Sequence, residues 1–410
     1  MSTLMVDSRW SDIERAPQAP LRATVAKWLL ARISRRVPVS IHLPGRPLQS
    51  QTPALEVRSP KFFHRLGADL KIGLGESYMA GEWRPAPGSD LADVLTPFAE
   101  RLLDIVPGWL RAFRRLIEPA HPKAERNHRE GARSNISRHY DLSNDLFALF
   151  LDETMTYSSA WFEGDRELAT FSDLAAAQRR KVDGVLDMAA VGAGSRVLEI
   201  GTGWGQLAIQ AAQRGAIVHS ITLSQEQLEF AQARVDALGL GDRITLELRD
   251  YRDVVGQYDA VVSVEMIEAV GAEYWEQYFA VVGKLLVPGG RFGLQAITMP
   301  HDRMVASRRA YTWIHKYIFP GGLIPSPEAV RSNAERAGNL RVIDEREFGL
   351  DYARTLRLWR ERFNARHDEV HALGFDRTFM RMWEFYLAYS EAGFRARHLD
   401  VRQYALEKAL

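Results

Sequence analysis

The feature that most constrains the fold is a glycine-rich turn, Glu199-Ile-Gly-Thr-Gly-Trp-Gly205, which follows a short apolar strand and precedes a helix. The strand is predicted at Arg196–Ile200 and the helix at 206–213. A tight turn at this place lets a ligand approach the backbone and meet the free N–H groups of the helix. The turn therefore predicts an α/β fold with a ligand site at the end of the first strand.

Strand and helix patterns alternate on both sides of this turn, which predicts a doubly wound α/β sheet. Beyond the first pair, strands are predicted at 217–222, 244–248, 260–264 and 291–297, and helices at 224–238 and 273–286. After residue 300 the pattern becomes mostly helical and rich in aromatic residues: Trp313, Tyr317, Phe319, Trp359, Phe363, Phe379, Trp383, Phe385, Tyr386 and Tyr389. Two interpretations stay open for these residues, ordinary core packing or the wall of an apolar substrate tunnel.

The residues around the turn argue against a dinucleotide. Gln206 stands where a dinucleotide fingerprint places its third glycine. The second strand runs into Ser220-Ile-Thr-Leu-Ser-Gln-Glu-Gln227 and lacks the acidic residue that usually holds a ribose there. Ser224 and Gln227 have the spacing of a capping box for the next helix. The glycine turn alone does not identify the cofactor.

Length and composition bound the organisation of the chain. A chain of 410 residues predicts two domains. The polar stretch 121–135 reads as a linker between a domain at 1–120 and a second at 136–410. The absence of cysteine excludes disulfides, thiolate zinc sites and cysteine nucleophiles, and no metal site is predicted. The chain has no apolar run long enough for a bilayer and no secretory signal at 1–22, so a cytoplasmic location is expected.

The front third of the chain is basic, with 21 Lys and Arg against 14 Asp and Glu in residues 1–135. A basic amphipathic helix is predicted between Ala19 and Val37. Its apolar positions are Leu21, Val25, Trp28, Leu29 and Ile33, and its cations are Lys27, Arg32, Arg35 and Arg36. Such a helix either packs on its own domain or docks on an anionic membrane surface. The same charge is compatible with a non-catalytic lipid-binding or nucleic-acid-binding module, and nucleic acid is not the partner we expect.

Six segments together resemble the cyclopropane fatty acid synthase family, whose members use S-adenosylmethionine to modify unsaturated acyl chains. They are His139–Phe147, Met155–Trp161, Leu198–Gly205, Ile221–Gln227, Arg249–Arg252 and Lys316–Gly322. The resemblance runs from about residue 136 to the C-terminus. More loosely, Gly75–Trp83 is similar to the smaller N-terminal domain of that family. The resemblance implies a class I methyltransferase sheet with a helical, aromatic-rich substrate insertion, preceded by a small α+β domain that associates with lipid.

The resemblance also implies which residues bind S-adenosylmethionine. Gly201 and Gly203 would approach its amino acid part, and Tyr251 its adenine. The expected contacts of the ribose and its neighbouring atoms are Thr222, Leu223 and Gln227. Tyr157 and Ser158 would close over the methionine end.

In cyclopropane synthases a bound bicarbonate is thought to take the released proton, held by a cysteine, a glutamate, a histidine, a tyrosine and backbone. By resemblance the glutamate is Glu268, the tyrosine Tyr352 and the backbone group that of Ile297. Ser159 stands at the cysteine position and Gln295 at the histidine position, and neither supplies a thiol or an imidazole. Either bicarbonate still binds through these five residues, or Glu268 itself receives the proton.

This departure bears on the product. A hydride shift in the carbocation, followed by loss of a proton from the added methyl, gives an exocyclic methylene instead of a ring. The pattern resembles the actinobacterial fatty-acid methyltransferases that make 10-methylene chains from oleoyl phospholipid, with a separate flavin or NADPH-type reductase completing the 10-methyl branch. Cyclopropane formation and methylation of a small amine are the alternatives. An enzyme peripheral to the inner membrane surface, which could form a homo-oligomer, is expected.

Overall fold

The computed structural model describes residues 10–45, 53–101, 143–308 and 310–410. These residues fall into two compact units. The first combines the described residues before 102 with two later segments, 311–318 and 364–396. Both later segments lie within the range 136–410 that was predicted to form the methyltransferase domain. The predicted linker 121–135 lies outside the described residues, so the division there stays a prediction.

The strands form two sheets among the described residues, three strands in the first unit and seven in the second. The strands are β1 Ser40–His42, β2 Ala54–Val57, β3 Trp83–Pro85, β4 Arg196–Ile200, β5 Ile217–Thr222, β6 Ile244–Leu248, β7 Tyr258–Val264, β8 Leu286–Thr298, β9 Leu340–Glu347 and β10 Asp400–Lys408. The large sheet has the order β6-β5-β4-β7-β8-β10-β9. Strands β4 to β8 pair in parallel, and β10 runs antiparallel to both β8 and β9. The predicted doubly wound sheet is confirmed.

Helices connect these strands. Those of the first half are α1 Ser11–Glu14, α2 Pro20–Ile33, α3 Lys61–Ala68, α4 Leu70–Met79, α5 Leu91–Glu100, α6 Asn144–Phe150, α7 Phe171–Met188, α8 Gln206–Gln213 and α9 Gln225–Ala237. Those of the second half are α10 Ile267–Val270, α11 Trp275–Leu285, α12 His301–Ser307, α13 Trp313–Tyr317, α14 Pro327–Gly338, α15 Gly349–Ala365, α16 His367–Ala372 and α17 Arg377–Arg395.

The large sheet is covered on both faces because successive strand residues point to opposite sides. On β4, Val197 packs into the cluster formed with α7 and α8, whereas Leu198 packs into the cluster formed with α11 and α14. Val262 and Val261 divide in the same way on β7. The carboxyl ends of the parallel strands are thereby held side by side at one edge of the sheet.

The expectation that the chain beyond residue 300 is mostly helical was incomplete, because β9 and β10 lie there. β9 is the edge strand of the sheet, and its sequence Leu-Arg-Val-Ile-Asp-Glu-Arg-Glu is largely charged, with half of its residues exposed. Edge strands tolerate such charges, so no apolar alternation reveals them.

The aromatic residues of this region divide between the two units. Trp313 packs against Phe385 in the first unit with ring centroids 4.9 Å apart. Trp359 lies in the second unit and stacks on Tyr157 at 5.3 Å. Most of the aromatic residues therefore have core partners, and an acyl tunnel stays a prediction.

The first unit is an α+β arrangement, as predicted, in which β2 pairs in parallel with β1 and antiparallel with β3. Its predicted amphipathic helix is α2, and the helix packs through small residues. Ala23 and Ala26 are buried, and a Cβ built at Gly67 of α3 would lie 2.6 Å from the carbonyl carbon of Arg22. The large apolar side chains Leu21, Val25 and Trp28 are 84%, 56% and 58% exposed. No helix among the described residues is long and apolar enough to cross a bilayer.

Candidate active site

A cavity opens at the carboxyl ends of β4, β5 and β7 and has a volume of about 960 Å³, including its mouth. All eight residues predicted to bind the cofactor line it: Tyr157, Ser158, Gly201, Gly203, Thr222, Leu223, Gln227 and Tyr251. They come from four separate stretches of sequence.

The glycine turn lines the cavity, and its backbone conformation favours glycine. Gly201 has φ +101° and Gly203 has φ +52°, both in the left-handed region that L side chains rarely adopt. A Cβ at Gly201 would lie 2.6 Å from Cγ of Met266. A Cβ at Gly203 would meet no protein atom within 4 Å, so the backbone there faces open space. A ligand can approach the chain closely at this point.

The end of β5 contributes a buried hydroxyl–amide pair. The hydroxyl of Thr222 donates to Oε1 of Gln227 over 3.1 Å and accepts from the backbone N–H of Ser224 at 3.1 Å. The predicted capping box is only half correct. The N–H of Gln227 does bond to the Ser224 hydroxyl at 3.2 Å, but the Gln227 side chain is engaged by Thr222 instead of reaching back to Ser224.

Tyr251 and Tyr157 are the aromatic residues of the predicted cofactor set. Burial raises the pKa of Tyr251 to about 12, so its hydroxyl stays protonated at neutral pH. The Arg252 guanidinium carbon lies 5.4 Å from the Tyr251 ring centroid. Tyr157 is fixed by stacking on Trp359 and by an edge contact with Phe147 at 5.1 Å.

Ser158 connects the cavity to a buried lysine that the sequence analysis missed. Lys181 of α7 is 1% exposed and donates to the Ser158 hydroxyl. Burial lowers the pKa of Lys181 to about 8, while the carboxylates of Glu265, Asp152 and Glu199 oppose that shift. Lys181 therefore places a cation next to the methionine end of the predicted cofactor site.

Glu199, at the end of β4, is a second missed group, although it stands inside the glycine motif. It is 2% exposed and accepts from the Ser220 hydroxyl at 2.5 Å. Burial raises its pKa to about 8, so it is mostly protonated at neutral pH. A helical or strand pattern gives no sign of this protonation state, because it depends on how deeply the folded chain encloses the carboxyl group.

The residues predicted to handle the proton surround a third missed group, Glu265. The Ser159 backbone N–H donates to Oε1 of Glu265 at 3.0 Å, and Nε2 of Gln295 donates to the same oxygen at 2.8 Å. The Tyr352 side chain also hydrogen-bonds to Glu265. The Ser159 hydroxyl itself donates to the carbonyl of Ala160. Three of the five predicted residues thus converge on one carboxylate.

The other two predicted residues contact each other. The N–H of Ile297 donates to Oε1 of Glu268 at 2.5 Å. Oε2 of Glu268 is buried and has no hydrogen-bond partner among the described residues. Burial, and after it the charge of Glu265, raises the pKa of Glu268 to about 8. Glu268 is therefore mostly neutral at pH 7, as a carboxyl group with few donors should be.

Comparison with known proteins gives one family match and close relatives. The sequence profile of a family described as Mycolic acid cyclopropane synthetase matches residues 127–404. The chain is 50% identical to Tuberculostearic acid methyltransferase UfaA1 of Mycobacterium tuberculosis over 98% of this chain and 96% of that protein. It is 34% identical to the Cyclopropane-fatty-acyl-phospholipid synthase of Escherichia coli K12, over 89% and 91% of the two chains.

Among solved structures, the mycolic acid cyclopropane synthase CmaA1 complexed with SAH and CTAB superposes with a TM-score of 0.61 at 30% identity. The match covers 67% of this chain and 98% of the CmaA1 chain.

Proposed function

Because the chain belongs to the family of mycolic acid cyclopropane synthetases, we propose that it methylates the double bond of an unsaturated phospholipid acyl chain, with oleoyl phospholipid as substrate. The chain is an S-adenosylmethionine-dependent methyltransferase of this family. The observation that carries the proposed substrate is the 50% identity, over nearly its full length, to a protein named for tuberculostearic acid.

The cavity residues fit this cofactor. When bound, S-adenosylmethionine supplies a methyl group on a positively charged sulfur. In our proposal Gly201 and Gly203 let the amino acid part approach the backbone, while Thr222, Leu223 and Gln227 hold the ribose region. Tyr251 covers the adenine, and Tyr157 with Ser158 closes the methionine end. The rigid contacts of Tyr157 and Thr222 support these roles, since preorganised groups hold a ligand in reactive geometry.

The proposed product is a 10-methylene chain, with a cyclopropane as the alternative. Ser159 and Gln295 support the methylene product, because they replace the cysteine and histidine expected in the ring-forming enzymes. The identity to the E. coli synthase is the observation in favour of the ring. A separate flavin or NADPH-type reductase acting on the methylene, and a homo-oligomeric assembly, belong to the same proposal.

Product analysis tests the function directly. Purified protein with S-adenosylmethionine and dioleoyl phospholipid is expected to give a lipid heavier by one CH₂ unit. Ring and methylene products share that mass, so proton NMR must separate vinylidene hydrogens from cyclopropane hydrogens. A saturated phospholipid is the negative control and dimethylglycine the amine control. Transfer to the amine, or to no unsaturated lipid, would refute an acyl-chain substrate.

We propose that the protein reaches its lipid substrate by docking α2 on an anionic membrane. Leu21, Val25 and Trp28 form an exposed stripe at positions i, i+4 and i+7. Arg22, Lys27, Arg32, Arg35 and Arg36 are exposed beside it. This combination of apolar and cationic side chains complements a surface of anionic headgroups.

Replacing Leu21, Val25 and Trp28 together by serine is expected to weaken sedimentation with anionic vesicles at least about 10-fold, given about 25 cal/mol per Å² of apolar surface buried. Leu168, Val255 and Leu238 are comparably exposed in the second unit, and the triple serine variant at those positions is the matched control. Binding by the parent chain should also fall as salt is raised. Equal binding by both variants would show that α2 is not the docking surface.

A further inference from the structure

Glu265 directly follows β7 and has an unusual backbone conformation. Its φ is +51°, a conformation that costs a non-glycine residue roughly 1–2 kcal/mol. The backbone is held there by the Glu265 N–H, which donates to the carbonyl of Gln295 at 2.8 Å. Strained residues of this kind cluster at functional sites. The carboxylate lines the cofactor cavity, whereas Glu268 is not among the lining residues.

Three of the five residues expected to hold a bicarbonate ion supply the hydrogen-bond donors around Glu265. Ser159, Gln295 and Tyr352 all direct a hydrogen bond to the Glu265 carboxylate. Bicarbonate and a glutamate side chain present the same planar O–C–O group to such donors. A carboxylate attached to the chain therefore lies where the resemblance predicts a bound anion.

Hydrogen bonds fix the orientation of the Gln295 side-chain amide. Nε2 of Gln403 on β10 donates to Oε1 of Gln295 at 2.9 Å and to the carbonyl of Lys181 at 2.9 Å. With its oxygen engaged by Gln403, the Gln295 amide presents its Nε2 to Glu265. The histidine expected at this position would titrate near neutral pH, but the amide donates at every pH.

The two neighbouring carboxyl groups, Glu265 and Glu268, have different surroundings. Glu265 receives three hydrogen bonds and faces the Lys181 cation, and each of these favours its ionised form against the burial that raises its pKa. Glu268 receives the Ile297 N–H, and the charge of Glu265 raises its pKa further. Of the two carboxyl groups, Glu265 is the one whose hydrogen bonds and neighbouring cation favour the ionised form, as a proton acceptor requires.

We propose that Glu265 fills the anion site of this enzyme and receives the proton released after methyl transfer, in place of a bound bicarbonate. The role as proton acceptor rests on the proposed function; the occupation of the anion site does not. In this step a C–H bond of the added methyl breaks, and its electron pair becomes the C=C bond that quenches the neighbouring carbocation. The proton passes to a Glu265 oxygen, so a cation and a carboxylate become a neutral alkene and a neutral acid.

Bicarbonate binding tests the occupation of the anion site without any turnover. In ¹³C NMR, the parent chain is expected not to broaden the signal of labelled bicarbonate, because the Glu265 carboxylate fills the site. Glu265→Gly suits the left-handed backbone, empties the site and is expected to bind the ion. Glu265→Gln fills the space with an amide and should not bind. Glu265→Asn, which tolerates the same φ, replaces the glycine variant if that chain fails to fold.

Turnover in carbonate-free buffer tests the proton transfer. The parent chain is expected to be fully active, and Glu265→Gln to lose at least about 100-fold, the usual worth of a positioned base. Added bicarbonate should restore Glu265→Gly at least about 10-fold and leave Glu265→Gln inactive. Glu391→Gln, which removes a buried carboxylate in the first unit, is the control for the loss of a buried charge.

The outcomes are distinct. Bicarbonate binding by the parent chain, or parent activity that disappears without carbonate, would overturn the proposal. A larger loss in Glu268→Gln than in Glu265→Gln would also overturn it and assign the proton to Glu268. A parent chain that methylates no lipid, with bicarbonate bound only by the glycine variant, would refute the proposed function while supporting the anion site.

Discussion

Gly203→Ala is expected to bind S-adenosylhomocysteine about 30-fold more weakly than the parent chain, because a methyl group forced into a packed contact costs about 1–3 kcal/mol. The added Cβ meets no protein atom within 4 Å, and Gly203 lines the cavity. Any loss of affinity beyond the backbone cost must therefore come from a contact between the added methyl group and the bound ligand. Titration calorimetry measures the effect.

The chain offers a closely matched control for this variant. Gly239 has φ +64°, also has no atom within 4 Å of its Cβ position, and is not a lining residue of the cavity. Gly239→Ala should lose as much thermal stability as Gly203→Ala and keep its affinity. Equal affinity in the two variants would exclude a close approach of the ligand at Gly203.

Lys181→Met is expected to lower turnover at pH 7 at least about 10-fold, since it removes the cation that favours the ionised form of Glu265. The Lys181 charge holds the pKa of Glu265 down against the effect of burial. Without that charge the pKa of Glu265 rises, so its carboxylate becomes protonated at a higher pH than in the parent chain. The acid limb of the pH–rate profile should therefore move to higher pH.

The pH profile distinguishes this electrostatic role from a loss of packing. Lys284→Met removes an exposed cation on α11 and should leave the profile in place. A uniform fall in activity at every pH, with no movement of the acid limb, would mean that Lys181 only fills space. Stability gives a second measurement: burial lowers the pKa of Lys181 to about 8, so the parent gains stability as pH rises from about 8 toward the ordinary lysine value, and the variant lacks this gain.

Much of the large sheet could be predicted from sequence, because β4 to β6 are short apolar runs bounded by turn residues. The predicted bounds of these three strands agree with the structure, and β7 and β8 begin earlier than predicted. The charged edge strand β9 escaped prediction, and β10 lay beyond a long helical stretch. Hydrophobic patterns predict an element well where burial is uniform along it, and they predict the edge strands of a sheet poorly.

The lining of the cavity was also predictable, since each residue lies in a motif next to a strand end. The role of Glu265 was not. Its partners Ser159, Gln295 and Tyr352 lie up to 106 residues away in sequence, and only the folded chain brings them to one oxygen pair. The resemblance gave the positions of these donors, but it could not indicate that a carboxylate three residues before Glu268 stands at their centre.

The first unit combines early and late segments of the chain, so it can finish folding only after the late segments have been synthesised. Its helices α4 and α5 pack against α17, with Tyr78 bonded to Glu384 at 2.7 Å and Asp93 paired with Arg395 at 2.5 Å. The ribosome makes these partners some 300 residues apart, which at about 5–20 residues per second separates them by tens of seconds. Until then Trp83 and Tyr78 lack Phe385, the α17 ring against which both pack in the folded chain, so the first unit can complete its aromatic core only late in synthesis.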